Sequence, residues 1–230
     1  YYYLFVSYGG LNADGGYQIR LYRSERPDGP YLDYSGGTFS MGVDDHSKYG
    51  LKMMGNYTFP SLPYSYMSPG HNSAFVDKDG KMYIVYHQRF SNMGETHEPR
   101  VHQIFKNQDG WLVAAPFATQ GEELREKKTG KKDIAGSYYY VNHGTDISSE
   151  VHEAEKIQLT SAGKIRNSSD KSIGEFVTEG NSPYIALNIN GEEYKGVLVD
   201  MKDEAGNPVL CFTAAGNNNQ SIWGVKYLKK

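Results

Sequence analysis

The chain has 230 residues, a formal net charge of -3, 22% charged residues and 38% hydrophobic ones. A balance this close to neutral offers no electrostatic footprint for nucleic acid or an anionic membrane surface. No apolar run approaches the roughly 18 residues of a helical membrane span, and the apolar share excludes disorder as a class.

The composition is rich in Tyr (20) and Gly (26) and holds one Cys. Tyr favours strands and Gly favours turns, so an all-β protein is expected. Exposed aromatic rings would also suit sugars, offering a flat apolar face and a polar tip. A lone cysteine forms no internal disulfide. Cys211 lies in the apolar run Val209-Leu210-Cys211-Phe212-Thr213 and reads as a buried structural thiol.

In chain order, residues 1–8 read as a strand that starts without Met, leader or cap. A domain seldom begins in mid-strand, so an upstream segment is expected elsewhere, and a missing leader says nothing about secretion. Residues 9–16 form a Gly-rich loop, and residues 17–24 alternate as the partner strand. Arg26-Pro27-Asp28-Gly29-Pro30 is a tight turn, with Pro presetting φ and Gly supplying the reversal. Residues 51–59 read as one further strand. Two hairpins follow: residues 73–76 with 82–87 around Asp77-Lys78-Asp79-Gly80, and 100–105 with 111–114 around Asn107-Gln108-Asp109-Gly110. Hairpins at this spacing suit propeller blades or a meander.

Residues 121–132 are highly charged with almost no apolar anchor, which marks a domain boundary, or else a solvated loop within one domain. Strand candidates then recur at 137–142, 156–159, 163–165, 184–189, 193–200, 208–214 and 222–227, with Asn190-Gly191 as a type I′ turn. Short strands with tight turns and no room for helices predict a closed or nearly closed antiparallel barrel.

Two clusters could carry chemistry. In Ser68-Pro69-Gly70-His71-Asn72-Ser73, Pro and Gly predict a rigid turn, after which His71 and Asn72 project from the start of a strand. A neutral imidazole there could take a metal or a hydroxyl, or only hydrogen-bond the turn. The second cluster runs through His87, Arg89, Glu95, His97, Glu98, Arg100 and His102. Strand periodicity puts His87 with Arg89, and Arg100 with His102, on common faces. Its three histidines lack any metal-binding signature, and Glu98 with Arg100 also reads as a plain strand-face ion pair. Asp44-Asp45-His46 reads as an acidic turn rather than a cation site. No nucleophile elbow, P-loop or dinucleotide fingerprint occurs.

The segments YYYLFVSYGG, GGYQIRLYRS, LKMMGNYTF, SPGHNSAF, VYHQRF, HEPRVHQIF and DGWLVAAPF resemble the last blades of the endo-α-1,5-L-arabinanases of glycoside hydrolase family 43. YYYVNHGTD, EYKGVLVD and SIWGVKYL resemble the C-terminal β-barrel of that family's larger members. The resemblance implies an all-β fold: the last part of a five-bladed β-propeller over residues 1–120, a linker over 121–133, and an accessory β-barrel over 134–230. It implies hydrolysis of α-1,5-linked arabinan or arabino-oligosaccharides with inversion, by carboxylates roughly 6.5–9.5 Å apart. The general-acid Glu and both Asp residues of the family fall before Tyr1, in the N-terminal segment of the same enzyme. Asp14, Asp45 and Glu98 therefore receive no catalytic role. His71 matches a family histidine that holds a calcium ion, otherwise ligated by waters, in the central channel. Asn72, His87 and Arg89 are expected to contact substrate there. The resemblance implies an extracellular enzyme. The rival expectation is a non-catalytic carbohydrate-binding propeller, and the barrel could be a sugar-binding module or a packing domain.

Overall fold

The computed structural model describes residues 1–39, 45–125 and 129–227. The strands are β1 (Tyr2–Tyr8), β2 (Gln18–Ser24), β3 (Leu51–Met54), β4 (Tyr57–Thr58), β5 (Tyr66–Val76), β6 (Met82–Phe90), β7 (His97–Lys106), β8 (Leu112–Ala114) and β9 (Glu123–Leu124). After the short helix α1 (Lys131–Ile134) come β10 (Gly136–Asn142), β11 (His152–Glu153), β12 (Glu155–Leu159), β13 (Lys164–Asn167), β14 (Ser172–Thr178), β15 (Tyr184–Ile189), β16 (Glu192–Lys202), β17 (Pro208–Gly216) and β18 (Ser221–Tyr227).

The protein is all-β, built from two open sheets and one closed one. The first sheet is β1-β2-β3 and the second β11-β4-β5-β6-β7-β8. β10 and β12 to β18 form an eight-stranded ring, closed by the pairing of β15 with β16, while β9 adds to β16 at Val199 and Asp200. Closure leaves the ring no free edge.

The barrel interior is packed. Ile157, Ile165, Phe176, Leu187, Leu198 and Phe212 alternate inward and fill it. The outward positions of β16 to β18 are equally apolar. Val197, Val199, Cys211, Trp223 and Val225 join one core with Leu51, Tyr57, Ile84 and Trp111 of the open sheets. Burial on both faces explains why these strands read as unbroken apolar runs rather than alternating ones. Cys211 is buried as expected.

Several expectations need correction. Residues 51–59 are two strands in different sheets, β3 and β4, split at Gly55-Asn56. The Ser68-Pro69-Gly70 stretch is no turn: it lies inside the long strand β5, as two register irregularities against β6. β14 carried no expectation, because Gly174 and Glu175 interrupt its apolar pattern, yet it pairs along Gly174–Thr178 with β15. The charged stretch after residue 120 carries β9 and leads into α1, with residues 126–128 outside the described ones. The segment between β10 and β12 reaches back to the open sheets, where β11 lies parallel to β4. Eight of the twenty tyrosines are buried and structural: Tyr17, Tyr22, Tyr57, Tyr66, Tyr86, Tyr138, Tyr140 and Tyr194.

Candidate functional site

β5 is the element that builds the site. Where its register with β6 slips, Ser68 and His71 take left-handed backbone, with φ 47° and 52°. Non-glycine residues adopt this region only when their surroundings hold them there, and bulges re-aim side chains. The amide of Ser68 donates to Asn56 Oδ1 (2.6 Å). The amide of His71 donates to Ser7 Oγ (3.2 Å), and Ser7 Oγ donates to Asn72 Oδ1 (3.2 Å). β1 thereby holds the bulge that presents His71.

The His71 ring is exposed and hydrogen-bonds none of the described residues. It stacks toward His87, with ring centroids 6.3 Å apart. His87 also stacks on the buried Tyr17 at 5.6 Å. Gly70 permits that stack, because a Cβ there would lie 2.2 Å from Tyr17 Cε1. Arg89, two residues on along the same face of β6, donates from Nη1 to His87 Nε2 (2.7 Å). Its Nε sits 2.9 Å from Glu95 Oε2, an ion pair off the hydrogen-bond direction. His97 lies 5.4 Å from His87, ring to ring.

Accepting from Arg89 at Nε2, a neutral His87 carries its proton on Nδ1. Burial, then the Arg89 charge and the neighbouring imidazoles, push the His87 pKa below the ordinary histidine value. The ring is therefore neutral at neutral pH and has no lone pair left for a metal. His71, His87 and Arg89 thus lie side by side in one patch, and Asn72, bonded to Ser7, follows His71 in β5, whereas the residue pattern alone held them in two separate clusters. Ser7 and Tyr17 were missed. The available signals were a lone polar residue in the apolar run of β1 and a Tyr beside a Gly-rich loop.

The patch offers neutral donors and acceptors, one guanidinium and an aromatic floor, which suits a hydroxyl-rich ligand. Its fit to a cation is narrower. Among the described residues, no three His, Cys, Asp or Glu side chains come together as a metal cage. His71 supplies one free donor. The residues therefore fit an ion with a single protein contact and a water shell, and do not fit an all-protein calcium site.

The other residues singled out lie elsewhere. Glu98 pairs with Arg100 at 3.3 Å. Asp14 accepts from Asn12 Nδ2. Asp45 caps the 3₁₀ turn His46–Lys48 by accepting from Ser47, and Asp44 lies outside the described residues. His102 is fully buried, bonded to Tyr86 and Ala115, and belongs to the core rather than the patch.

Fold and patch define a class: two open sheets sharing a core with a closed eight-stranded barrel, and an exposed imidazole beside a half-buried imidazole and a largely buried guanidinium on the open sheets. The chain belongs to glycosyl hydrolases family 43, whose description matches residues 1–112, while residues 116–224 match the C-terminal lipocalin-like domain of that family. It is 42% identical over 243 residues to the extracellular endo-α-(1→5)-L-arabinanase 2 of Bacillus subtilis (strain 168), covering 98% of this chain and 50% of the relative. The crystal structure of the family 43 glycoside hydrolase YxiA from Bacillus licheniformis superposes with a TM-score of 0.90 at 41% identity, covering 99% of this chain and 53% of that one. The endo-1,5-α-L-arabinanase of Thermotoga petrophila RKU-1, in complex with TRIS, gives a TM-score of 0.91 at 39% identity, with 99% and 52% coverage. The chain spans about half the length of the curated relatives it matches. Among the described residues, no helix is long and apolar enough to cross a membrane.

Proposed function

We propose that this chain is the C-terminal part of an extracellular glycoside hydrolase that cleaves α-1,5-linked L-arabinan with inversion. The observation that carries this reading is identity of 42%, sustained along 98% of the chain, with a relative named as an extracellular endo-α-(1→5)-L-arabinanase. The three-stranded sheet and the meander β5 to β8 are read as the last blades of a five-bladed propeller. On this reading residues 1–120 belong to the propeller, 121–133 connect, and 134–230 form the accessory barrel. The general acid and base come from an upstream segment of the same protein. This chain's own residues bind and orient. Arg89 and Asn72 hydrogen-bond sugar hydroxyls, and the neutral His87 ring, floored by Tyr17, keeps that surface uncharged beside the guanidinium.

His71 is proposed to hold a single calcium ion through one imidazole nitrogen, with waters completing its shell. Such an ion would supply positive charge beside the reacting carboxylates and hold water in the channel.

The test is hydrolysis of linear α-1,5-arabinan by the full-length protein, with the anomer of the first product read by NMR. Release of β-configured arabino-oligosaccharides is expected. Binding of arabinan without cleavage would replace the hydrolase by a carbohydrate-binding protein, and inertness toward arabinan would sink both. For the ion, calcium added after chelation should raise the melting temperature of the wild type and leave that of His71→Ala unchanged. An equal response in both would remove His71 as the ligand.

A further inference from the structure

We infer that Glu95 is a positioning residue of this site: its carboxylate orients Arg89 and, through the backbone of Ala13, fixes the loop of residues 9–16 as a wall beside the imidazoles. This assignment deepens the carbohydrate reading of the patch and depends on it.

Glu95 sits in the connection between β6 and β7, with a side chain 60% exposed. Burial therefore does not account for its placement. Its two oxygens reach two different elements. Oε2 lies 2.9 Å from Arg89 Nε, and Oε1 accepts from the amide of Ala13 at 3.0 Å, 82 residues away in the chain. The same loop is gripped from β5, where Ser68 Oγ donates to the carbonyls of Ala13 (2.8 Å) and Asn12 (3.0 Å). Ala13 is thus held at both its N–H and its C=O. Ser68 occupies one of the two left-handed positions of β5, and His71 occupies the other.

The loop needs such a hold. Gly9, Gly10, Gly15 and Gly16 give it a wide conformational range, which costs entropy to confine. It opens directly into Tyr17, the ring under His87. Arg89 has the matching problem. A guanidinium fixed only by His87 at Nη1 could swing about that contact, and the carboxylate 2.9 Å from Nε restrains it by charge attraction rather than by a directed hydrogen bond. One side chain therefore couples the orientation of the cation to the position of the wall. An exposed ion pair contributes little to global stability. What the contact supplies is preorganisation, and loss of preorganisation weakens binding before it weakens folding.

The experiment uses the full-length protein and the variants Glu95→Ala and Glu95→Gln. Kd for α-1,5-arabinotriose is measured by calorimetry, KM and kcat are measured on linear arabino-oligosaccharides, and amide hydrogen exchange is followed over residues 9–16. Glu95→Ala should raise Kd and KM roughly 3- to 10-fold, leave kcat within about twofold, and speed exchange in the loop, with little change in melting temperature. Glu95→Gln keeps the acceptor for Ala13 and loses the charge against Arg89. It should keep the slow loop exchange and show an intermediate rise in Kd. Wild-type Kd and loop exchange in Glu95→Ala would overturn the assignment, as would a fall in kcat with KM unchanged. If the wild type binds the trisaccharide without cleaving it, the hydrolase reading fails and the Kd shift still decides the role of Glu95. If it neither binds nor cleaves, both fall.

Discussion

Lys52 Nζ lies 3.0 Å from Asp146 Oδ1, joining residues 94 apart in the chain, with the lysine side chain 2% exposed and the aspartate 34%. Asp146 belongs to the segment between β10 and β12 that crosses to the open sheets. Its carbonyl accepts from Lys52 and from Gln18 Nε2, at 2.9 Å each. His152 Nε2 lies 2.9 Å from Oδ1, and Ser148 Oγ donates to Oδ2. Burial pushes the Asp146 carboxyl up, but the bonds from His152 and Ser148 and the Lys52 charge outweigh it and hold the group well below the usual carboxylate range. Burial pushes the Lys52 ammonium down to about 8, against the pull of Asp146.

Removing the carboxylate should therefore cost stability in a pH-dependent way. A depressed carboxyl stabilises the fold above its unfolded pKa of about 4 and loses that contribution as pH falls toward the folded value. Asp146→Asn should lose roughly 2–3 kcal/mol at pH 7, less than a fully buried pair because the carboxylate is partly solvated. Its deficit against the wild type should shrink between pH 4 and 2. Urea titrations at several pH values would decide, and a deficit that stays constant down to pH 2 would count against the pin.

A separate acid effect is expected from His102. Nδ1 donates to the Ala115 carbonyl (2.7 Å), so Nε2 accepts from the Tyr86 hydroxyl (3.0 Å). Burial pushes this histidine down to about 4, and His143, also buried, is pushed down too. For a base with a lowered folded pKa, full stability holds above the unfolded value near 6.5 and is lost as pH falls toward the folded one. At 1.36 kcal/mol per unit, His102 should account for on the order of 3 kcal/mol of loss between pH 6.5 and 4. His102→Gln, which does not titrate there, should show a shallower slope over that window. Identical slopes would mean that the loss arises elsewhere.

Trp223 tests whether barrel and sheets form one cooperative unit. It stands on barrel strand β18, fully buried, with its ring 4.9 Å from Tyr57 and 4.2 Å from His143. Trp223→Ala should cost about 3–5 kcal/mol. Because the core is shared, amide exchange should accelerate together in β5 to β8 and in β16 to β18. Acceleration confined to the barrel would show two independent units.

By itself the sequence determined what depends on local pattern. Its alternations, Gly-tipped turns and Asn190-Gly191 predicted the hairpins β1–β2, β5–β6, β7–β8 and β15–β16, because strand period and turn chemistry act over a few residues. Its motifs set His71 with Asn72 and His87 with Arg89 as two separate clusters, and only the family resemblance placed them in one channel. Tertiary structure decided the rest. Whether Ser68 to Asn72 is a turn or a bulged strand depends on the register with β6 and on Ser7 and Asn56, 64 and 12 residues from their partners. The split of residues 51–59 into two sheets, the return of β11 to β4, and the meeting of Glu95 with Ala13 are likewise pairings across long sequence separations. Such contacts are chosen by the whole core at once, and no short window of residues contains the energy that selects them.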